Sequence, residues 1–492
     1  MSTRQRMRRD DRRRWHAKAS TTRRLVAAGG LSAGATLAMA GVAQATTYVV
    51  GSTADPGSTA LDCLTPTNTD CTLREAITET NGNPGADTIL FRSGLTGTIN
   101  LDSGSGQLDI TDALTLQGPG AGQMTINAGG NSRVIYANPA AKYQPVSISG
   151  LTITGGQGGT GAGIFGHYAD LTVTNSVVSG NNSTGSGGGI GANGGNHGPG
   201  TLDIAGSTIS GNTASQEGGG VFAAGGSGIP TTIRNSTISG NQGGGYGGGG
   251  VTFDYSSPGT VKNSTIYGNS STQDGGGLYH FGAPSGPGLV VTDSTITHNS
   301  SAIRAGGIAA SDDPGYTQPV LRNTIVSGNT APLGPDLSAK TSSMDAAFSL
   351  IGSVDPATTI NATVPFSNIF GVNPQLGPLQ SNGGSTRTVL PADTSPAINK
   401  GKSFALGTDQ RGLTRPVEFP GIANSTAAGA DGADIGAVEV QLPPPPPPPA
   451  PSGGGSTPSG QRAAAKKRCK KKFKHSKNKR NKCLKKAKRL PV

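Results

Sequence analysis

Aromatic residues are scarce: they make up 4% of the 492 residues, and there is a single tryptophan. The chain is therefore expected to bury a thin aliphatic core. The composition also excludes long helical repeats, because 80 glycines and 33 prolines would interrupt them. Beyond the first 45 residues, no segment approaches eighteen consecutive apolar residues, so nothing there predicts a membrane-spanning helix.

Cysteine is limited to four residues in two close pairs. Cys63 and Cys71 are eight residues apart, and Cys469 and Cys483 are fourteen apart. In an exported protein, pairs at such spacing predict two local disulfides. A zinc site would need further Cys or His residues nearby, and only His475 is close, so we predict no metal site there.

Acidic residues are missing from the last part of the chain. Residues 461–492 hold sixteen Arg and Lys and no Asp or Glu, and residues 1–45 hold ten basic and two acidic residues. The remaining part, 46–460, carries 14 basic and 26 acidic residues, a net charge of −12. The overall formal charge of +12 therefore describes an acidic body with a strongly basic tail.

The start of the chain has the features of a secretory signal. A basic run, RQRMRRDDRRR, precedes a weakly apolar stretch from Leu25 to Ala43, and residues 43–45 form an A-x-A cleavage site. Residues 22–26, TRRLV, resemble a twin-arginine export signal, and the general secretory route stays open as the alternative. An uncleaved anchor is disfavoured because the apolar stretch is short and weak.

One short phrase recurs through the centre of the chain and ends on asparagine. Residues 235–241 read NSTISGN, and close copies end at intervals of 28 to 31 residues. The terminal residues are Asn181, Asn212, Asn241, Asn269, Asn299 and Asn329. A Gly-rich phrase such as GGGV and an alternating phrase such as LDIA keep the same period. Three strand-like runs per period favour one coil of a parallel β-helix over helical or propeller repeats.

The repeated asparagines are expected to be structural. Asn accepts the left-handed backbone of tight corners, and stacked amides can bond one another along a ladder. A second column of corner residues precedes the Ser-Thr-like pairs: Asn175, Gly206, Asn235, Asn263, Asp293 and Asn323. Between the two corners we expect a buried isoleucine column: Ile209, Ile238, Ile266 and Ile296.

Both ends of such a stack need covering, because open strand edges promote association. Residues 70–81 read DCTLREAITETN, in which Thr72 and Glu75 can form a capping box, so we predict one helix over the first coil. The CTLREA run resembles the CSLREA motif near the start of many secreted bacterial β-helix proteins, although Thr72 stands where the motif usually has Ser.

Three C-terminal blocks resemble the choice-of-anchor Q family. They are VNPQLGPLQSNGGSTRTVLPADTSPAINKG at 372–401, TDQRGLTRP at 408–416 and DIGAVE at 434–439. The resemblance, which covers residues 60–440, implies an exported right-handed parallel β-helix displayed on a bacterial surface through one of several C-terminal attachments. It implies no reaction and no catalytic residues.

These patterns divide the chain into six parts. They are a signal peptide at 1–45, an N-terminal cap at 46–95, β-helix repeats at 96–370, an irregular C-terminal cap at 371–440, a Pro/Gly/Ser linker at 441–460 and a basic tail at 461–492. Five charged residues of the C-terminal cap could form an ion-pair cluster or, alternatively, a ligand or Ca²⁺ site: Asp409, Arg411, Arg415, Asp434 and Glu439. No other cofactor is expected.

No complete catalytic set occurs in the sequence. Glycosidases use paired carboxylates, and lyases of acidic sugars generally need Ca²⁺-binding carboxylates with an Arg or Lys base. The weak ligand or ion candidates are Glu217, Asp254, Asp274, His280, Asp312 and Asp313. Glu217 and Asp274 precede glycine runs two coils apart, with Tyr246 at the intervening position, so no continuous acidic ladder is predicted. The catalytic residues, if any, stay unidentified.

Three functions therefore stay open. The first is a secreted, cell-surface binding or structural protein of the adhesin type, with a polysaccharide as one candidate ligand. The second is a polysaccharide lyase or glycoside hydrolase acting along the β-helix face. The third is binding of nucleic acid or another partner through the tail, where Phe473 is the only aromatic, so sequence-specific nucleic-acid recognition is not expected. We expect the tail to attach electrostatically to polyanions of the cell envelope or to an anionic membrane surface.

Overall fold

The computed structural model describes residues 45–55, 63–65, 67, 69–195, 200–226, 228–254, 257–282, 288–311, 316–340, 342–442 and 459–490. The predicted signal sequence up to residue 44 and the proline-rich spacer at 443–458 lie outside these residues. Among the described helices, none is both long and apolar enough to span a bilayer.

The repeats form stacked coils of a parallel β-helix, which confirms the predicted fold. A central coil passes through sheet 1, sheet 2, a short strand of sheet 4 and then sheet 3, and every pairing in these sheets is parallel. Sheet 1 contains Thr47–Val50, Asp87–Phe91, Leu114–Gln117, Gln144–Ser149, Ala169–Thr174, Leu202–Ala205, Thr231–Arg234, Gly259–Lys262, Leu289–Thr292, Val320–Arg322, Ser343–Ala347 and Thr359–Ala362. Sheet 2 contains Gly97–Asn100, Met124–Asn127, Thr152–Thr154, Val177–Ser179, Thr208–Ser210, Thr237–Ser239, Thr265–Tyr267, Thr295–Thr297, Ile325–Val326, Leu350–Ile351 and Ile369–Phe370.

The third and fourth sheets complete the coils. Sheet 3 contains Leu108–Ile110, Ile135–Ala137, Ile164–His167, Ile190–Asn193, Val221–Ala224, Val251–Phe253, Leu278–His280, Ile308–Ala310 and Leu337–Ser338. Sheet 4 contains Gln157–Gly158, Asn182–Ser183, Thr213–Ala214, Gln242–Gly243, Ser270–Ser271 and Ser300–Ser301. A separate antiparallel pair, Leu376–Gln380 with Thr388–Pro391, follows the last coil.

Because side chains alternate between the two faces of a strand, those on the inner face of each sheet form rows that fill an aliphatic core. Ile209, Ile238, Ile266 and Ile296 lie in register on successive strands of sheet 2 and are fully buried. Burying one such side chain contributes roughly 1.5–3 kcal/mol, so the core gains its stability from many similar small increments along the stack.

The recurring asparagines form a continuous ladder at the corner after sheet 2. The amide Nδ2 of Asn241 donates to Asn269 Oδ1 and to the Ile209 carbonyl, both at 2.9 Å. Its Oδ1 accepts from the backbone N and the Nδ2 of Asn212, at 3.0 and 2.9 Å. The ladder runs from Asn181 to Asn329, which donates to Asp336 Oδ1 at 2.8 Å. Both polar ends of each interior amide are thus hydrogen-bonded.

The Gly-rich phrase is explained by close contact between coils. A Cβ on Gly219 would lie 2.5 Å from the Gly249 carbonyl oxygen, and one on Gly249 would lie 2.4 Å from the Gly276 oxygen. Any larger residue would push neighbouring coils apart. The other corner column has left-handed backbone, with φ between 44° and 57° at Asn175, Gly206, Asn235, Asn263, Asp293 and Asn323.

The N-terminal helix α1, Leu73–Gly82, covers the first coil. Its capping box is present: Thr72 N donates to Glu75 Oε2 at 2.9 Å, and the Thr72 hydroxyl accepts from the Glu75 backbone N at 3.3 Å. Leu73 and Ile77 are buried against the core, and the predicted Cys63–Cys71 disulfide precedes the helix.

Residues 371–440, here called the flanking segment, pack along the side of the stack at the corner between sheets 1 and 2. Asn263 Nδ2 donates to the Thr408 carbonyl at 2.8 Å, and Gln410 Oε1 accepts from the Thr265 hydroxyl at 2.6 Å. The Ala437 backbone N donates to Thr295 Oγ1 at 3.0 Å. The flanking segment therefore forms hydrogen bonds with corner residues of several successive coils.

The basic tail forms two helices, α2 at Ser459–Lys472 and α3 at Lys477–Ala487. The predicted disulfide between Cys469 and Cys483 links them into a hairpin. Neither helix contains an acidic residue, so the hairpin is a compact cationic unit.

Candidate functional site

Seven side chains form a patch on the outer face of sheet 3 and the adjoining loop. The aromatic–cationic patch consists of Arg133, Tyr136, Lys142, Tyr143, Phe165, His167 and Tyr168. Tyr136 and Phe165 lie in register on adjacent strands, between inward-facing residues that are fully buried. In a chain with so few aromatics, this concentration on two neighbouring coils stands out from the repeats.

The rings of the patch stack both between adjacent coils and along one strand. Tyr136 and Phe165 have centroids 5.6 Å apart and planes within 17°, and Phe165 and His167 are 5.5 Å apart within 13°. Tyr168 follows His167 with left-handed backbone and lies 4.0 Å from its ring centroid. Gly195 makes room for Tyr168, because a Cβ there would lie 2.6 Å from the tyrosine ring. The result is a partly exposed aromatic platform.

Two cations lie over this platform. The Arg133 guanidinium is 5.2 Å from the centroids of both Tyr136 and Phe165, and Lys142 Nζ is 3.9 Å from that of Tyr168. Arg133 is held in place because its Nε donates to the Gly161 carbonyl at 3.0 Å and its NH1 to Gln107 Oε1 at 2.7 Å. The platform therefore carries fixed positive charge next to apolar ring faces.

A tyrosine–histidine pair lies at the centre of the patch. Tyr136 Oη and His167 Nδ1 are 3.0 Å apart. Burial, followed by the nearby charges of Lys142 and Arg133, lowers the pKa of His167, so the imidazole is neutral near pH 7. Burial is also the main reason that the pKa of Tyr136 is raised, so its hydroxyl stays protonated.

Among the acidic candidates of the repeats that the structure describes, Glu217 and Asp274 are separated by an intervening coil and form no catalytic pair. Glu217 pairs with Gly247 rather than with a position at Tyr246, because this coil carries one extra glycine. Asp274 is the equivalent residue on the following coil, where Gly248 N donates to its carbonyl, and its neighbour is Arg304 at 3.7 Å. Both carboxylates are buried.

Asp254 and His280 lie at offset positions on adjacent coils. His280 pairs with Phe253, and Asp254 follows Phe253 just beyond the end of that strand; both side chains are buried. Burial lowers the pKa of His280 to about 4, so it is a neutral core residue at pH 7. The other two candidates, Asp312 and Asp313, lie outside the described residues.

The five charged residues of the flanking segment do come together. Arg415 bonds Glu439 and Asp293, each at 3.0 Å, and Arg411 bonds Asp409 at 2.7 Å. All are almost fully buried. Asp434 accepts from the backbone N of Asn399 and Val440, and Glu439 accepts from those of Val417 and Asp434. Because N–H donors surround these oxygens, the cluster fits an internal ion network and not a Ca²⁺ site.

In the described residues, one group of three side chains brings metal-ligating atoms together: Cys63, Cys71 and Glu75. The two sulfurs are joined in a disulfide, and Glu75 is used in the capping box. The group therefore does not fit a metal ion.

A family model described as "Right handed beta helix region" matches residues 133–334, which lie within the stacked parallel coils. No curated protein sequence matches it. Among solved structures, pectate lyase Pel9A is similar at 15% identity and a TM-score of 0.42, over 82% of this chain and 98% of that chain. The A-module of the Azotobacter vinelandii mannuronan C-5 epimerase AlgE6 is similar at 16% identity and a TM-score of 0.27, over 61% of this chain and 94% of that chain. These low values carry no implication for activity.

Proposed function

We propose that the protein is an exported, surface-held polysaccharide-binding protein whose aromatic–cationic patch binds an acidic glycan. The observation that supports this most directly is the stacked Tyr136–Phe165 platform beneath Arg133. Sugar rings have apolar C–H faces that pack on aromatic rings, and carboxylates pair with guanidinium and ammonium groups. Adjacent coils are roughly 4.8 Å apart, so a glycan lying along the stack would meet one coil after another.

Attachment is assigned to the cationic hairpin of α2 and α3. The disulfide holds sixteen basic residues of 461–492 in a short, compact unit that contains a single aromatic residue, Phe473. Such a unit binds anionic polymers by releasing counterions, and anionic lipid surfaces by about 1 kcal/mol per basic residue. Salt-sensitive binding to isolated cell envelopes, lost when the chain is cut at Pro451, is the expected result. Equal, salt-insensitive binding by the truncated chain would place attachment elsewhere.

Export is proposed from the A-x-A site at residues 43–45 and from the two disulfides. Mass spectrometry of protein from the native host should find an N-terminus at Thr46 and no free thiol. An intact Met1 with reduced cysteines would contradict this.

The binding test compares single variants on an array of acidic and neutral polysaccharides. Tyr136→Ala removes the centre of the platform and Arg133→Met removes its main cation, so each should weaken binding to polyuronates about tenfold or more. Arg234→Ala is the matched control, since it removes an exposed cation on sheet 1. Retention of polyuronate binding in both patch variants would refute the assignment.

A lyase activity at the same patch is the second candidate, favoured by the hydrogen-bonded Tyr136–His167 pair. In such an elimination, neutral His167 would take the C5 proton of a uronate beside Arg133, and the C5–H electron pair would form the C4–C5 double bond. The C4–O bond would break, and the leaving oxygen would depart with a proton from Tyr136. Ultraviolet absorption of unsaturated uronate products, lost in His167→Gln, would establish it. Binding without such products leaves the protein a binding module.

A further inference from the structure

The left-handed corner after sheet 2 is made by glycine in six of seven consecutive coils. Gly155, Gly180, Gly211, Gly240, Gly268 and Gly328 have φ between 61° and 75°. The register of the strands places His298 between Gly268 and Gly328 in this column. Its φ is 59°, so it adopts the same conformation as the glycines around it.

Backbone conformation, and not lack of space, selects glycine at three positions of this corner. A Cβ added to Gly211, Gly240 or Gly268 would meet no atom within 4 Å. A left-handed backbone is unfavourable for a residue that carries a side chain, because its Cβ lies too close to the following carbonyl oxygen. Glycine at 298 would therefore be more stable, and strain of this kind points to a use for the imidazole.

The imidazole is positioned on the outside of the stack. Its Nδ1 lies 3.0 Å from Thr297 Oγ1, and its ring stacks on Tyr267 of the preceding coil, with centroids 4.9 Å apart and planes within 26°. Within the described part of the chain, Nε2 makes no hydrogen bond. The side chain is exposed, so this nitrogen is available to a ligand.

His298 lines an open groove of about 660 Å³ between the stack and the start of the flanking segment. This volume falls in the roughly 300–1,000 Å³ range of small-molecule sites. Thr297, Ser327, Ser353 and Asn373 supply polar groups, and Val372 and Leu376 supply an apolar wall. Among the described residues that line the groove there is no Asp, Glu, Lys or Arg.

We propose that this His298 groove is a second glycan subsite, which binds a neutral sugar. A neutral sugar presents hydroxyls that exchange hydrogen bonds with serine, threonine, asparagine and imidazole groups, and C–H faces that pack on an apolar wall. An acidic sugar would find no cation on the walls to pair its carboxylate. The groove thus complements the aromatic–cationic patch, and its assignment does not depend on that of the patch.

The test uses the full exported chain and a panel of neutral gluco-, manno-, xylo- and galacto-oligosaccharides, screened on an array and measured by isothermal titration calorimetry. His298→Gly should weaken the binding of the best probe about tenfold, because it removes a hydrogen bond and a packing surface. The same change should raise the melting temperature by a few degrees, because it relieves the strained corner. His298→Asn, which tolerates the left-handed backbone but lacks the ring, should also weaken binding.

Arg234→Ala, which removes an exposed cation on sheet 1 outside both sites, is the matched control and should leave the binding of the neutral probe unchanged. The proposal is overturned if both His298 variants bind as the parent does, if Arg234→Ala weakens the neutral-sugar binding as much as they do, or if no probe binds at millimolar concentration. Loss of polyuronate binding in Tyr136→Ala concerns the patch alone, so the failures of the two sites are distinguishable.

Discussion

The asparagine ladder and the charge cluster under the flanking segment are both buried and polar, but they are constructed differently. The ladder repeats one neutral side chain, and each amide bonds the equivalent amide of the next coil. The cluster consists of charged residues that do not repeat from coil to coil. Arg415 bonds Asp293, which lies 122 residues away in the sequence. Damage to the ladder should therefore stay local, whereas damage to the cluster should expose uncompensated charge at several points.

The sharpest way to test this contrast is Arg415→Met. The change leaves Asp293 and Glu439 buried without their cation, which typically costs about 3–5 kcal/mol. Hydrogen exchange should show early opening of residues 371–440. Arg234→Ala, which breaks the partly exposed pair with Asp203 at 2.9 Å, is the control and should cost about 0–1 kcal/mol. Similar losses in the two variants would contradict the contrast.

The core of the coils and the charge cluster of the flanking segment should also respond oppositely to acid. His280, in the coil core, has its pKa lowered by burial from 6.5 to about 4. The contribution of the neutral imidazole to the free energy of unfolding is complete above pH 6.5 and is lost as pH falls towards 4. This loss amounts to about 3 kcal/mol. His280→Leu should remove this acid sensitivity, as measured by urea unfolding at each pH.

The stability of the charge cluster in the flanking segment should change with pH in the opposite direction. Burial raises the pKa of Asp434, from 3.8 to about 7, so the folded state takes up a proton that the unfolded state releases. The contribution of this group to stability is greatest below pH 3.8 and is lost as pH rises towards 7. Hydrogen exchange at residues 371–440 should therefore slow, after correction for intrinsic rates, between pH 7 and 5. Faster corrected exchange would show that the ionised form is preferred.

Within the ladder, position should decide the cost of a single change. Asn241→Ala removes both partners of an interior amide and leaves neighbouring polar groups unsatisfied, at about 1–3 kcal/mol each. Asn181→Ala, at the end of the ladder, breaks one link between asparagines instead of two, together with bonds to the Gly156 backbone N and the Ile153 carbonyl, and should cost less. Equal unfolding free energies for the two variants would argue against the hydrogen-bonded ladder as a source of stability.

Among the changes to buried residues, the smallest effect is expected from Ile238→Val. It removes one methylene from a fully buried column, and such changes cost about 0.5–1.5 kcal/mol. Chemical denaturation should show the loss without a change in the flanking segment. A loss as large as that of Arg415→Met would mean that the core is not a sum of independent increments.

The sequence allowed prediction of the features that repeat or are local. The period of the asparagines implied the coils, close cysteine spacing implied the disulfides, and Thr72 with Glu75 implied the N-terminal helix. The sequence did not reveal the aromatic–cationic patch, because Tyr136 and His167 become neighbours only through the coil register. One predicted position was wrong: the coil between Glu217 and Asp274 carries one extra glycine, so Gly247, and not Tyr246, lies between them. The phrase STITHN does show His298 in place of glycine, but its strain is visible only in the backbone.

The asparagine ladder has a polarity, and this bears on the length of the molecule. In each bond between two asparagine side chains, the donor is on the N-terminal coil and the acceptor on the next coil, and the last donor, Asn329, bonds the carboxylate of Asp336. Removal of one whole coil, for example residues 213–241, would let Asn212 donate to Asn269 in the same way. A duplicated coil would likewise supply one donor and one acceptor. Whole coils can therefore be removed or added without breaking the ladder. Any such shortened or lengthened protein must keep Asp336, which accepts the hydrogen bond of the last asparagine.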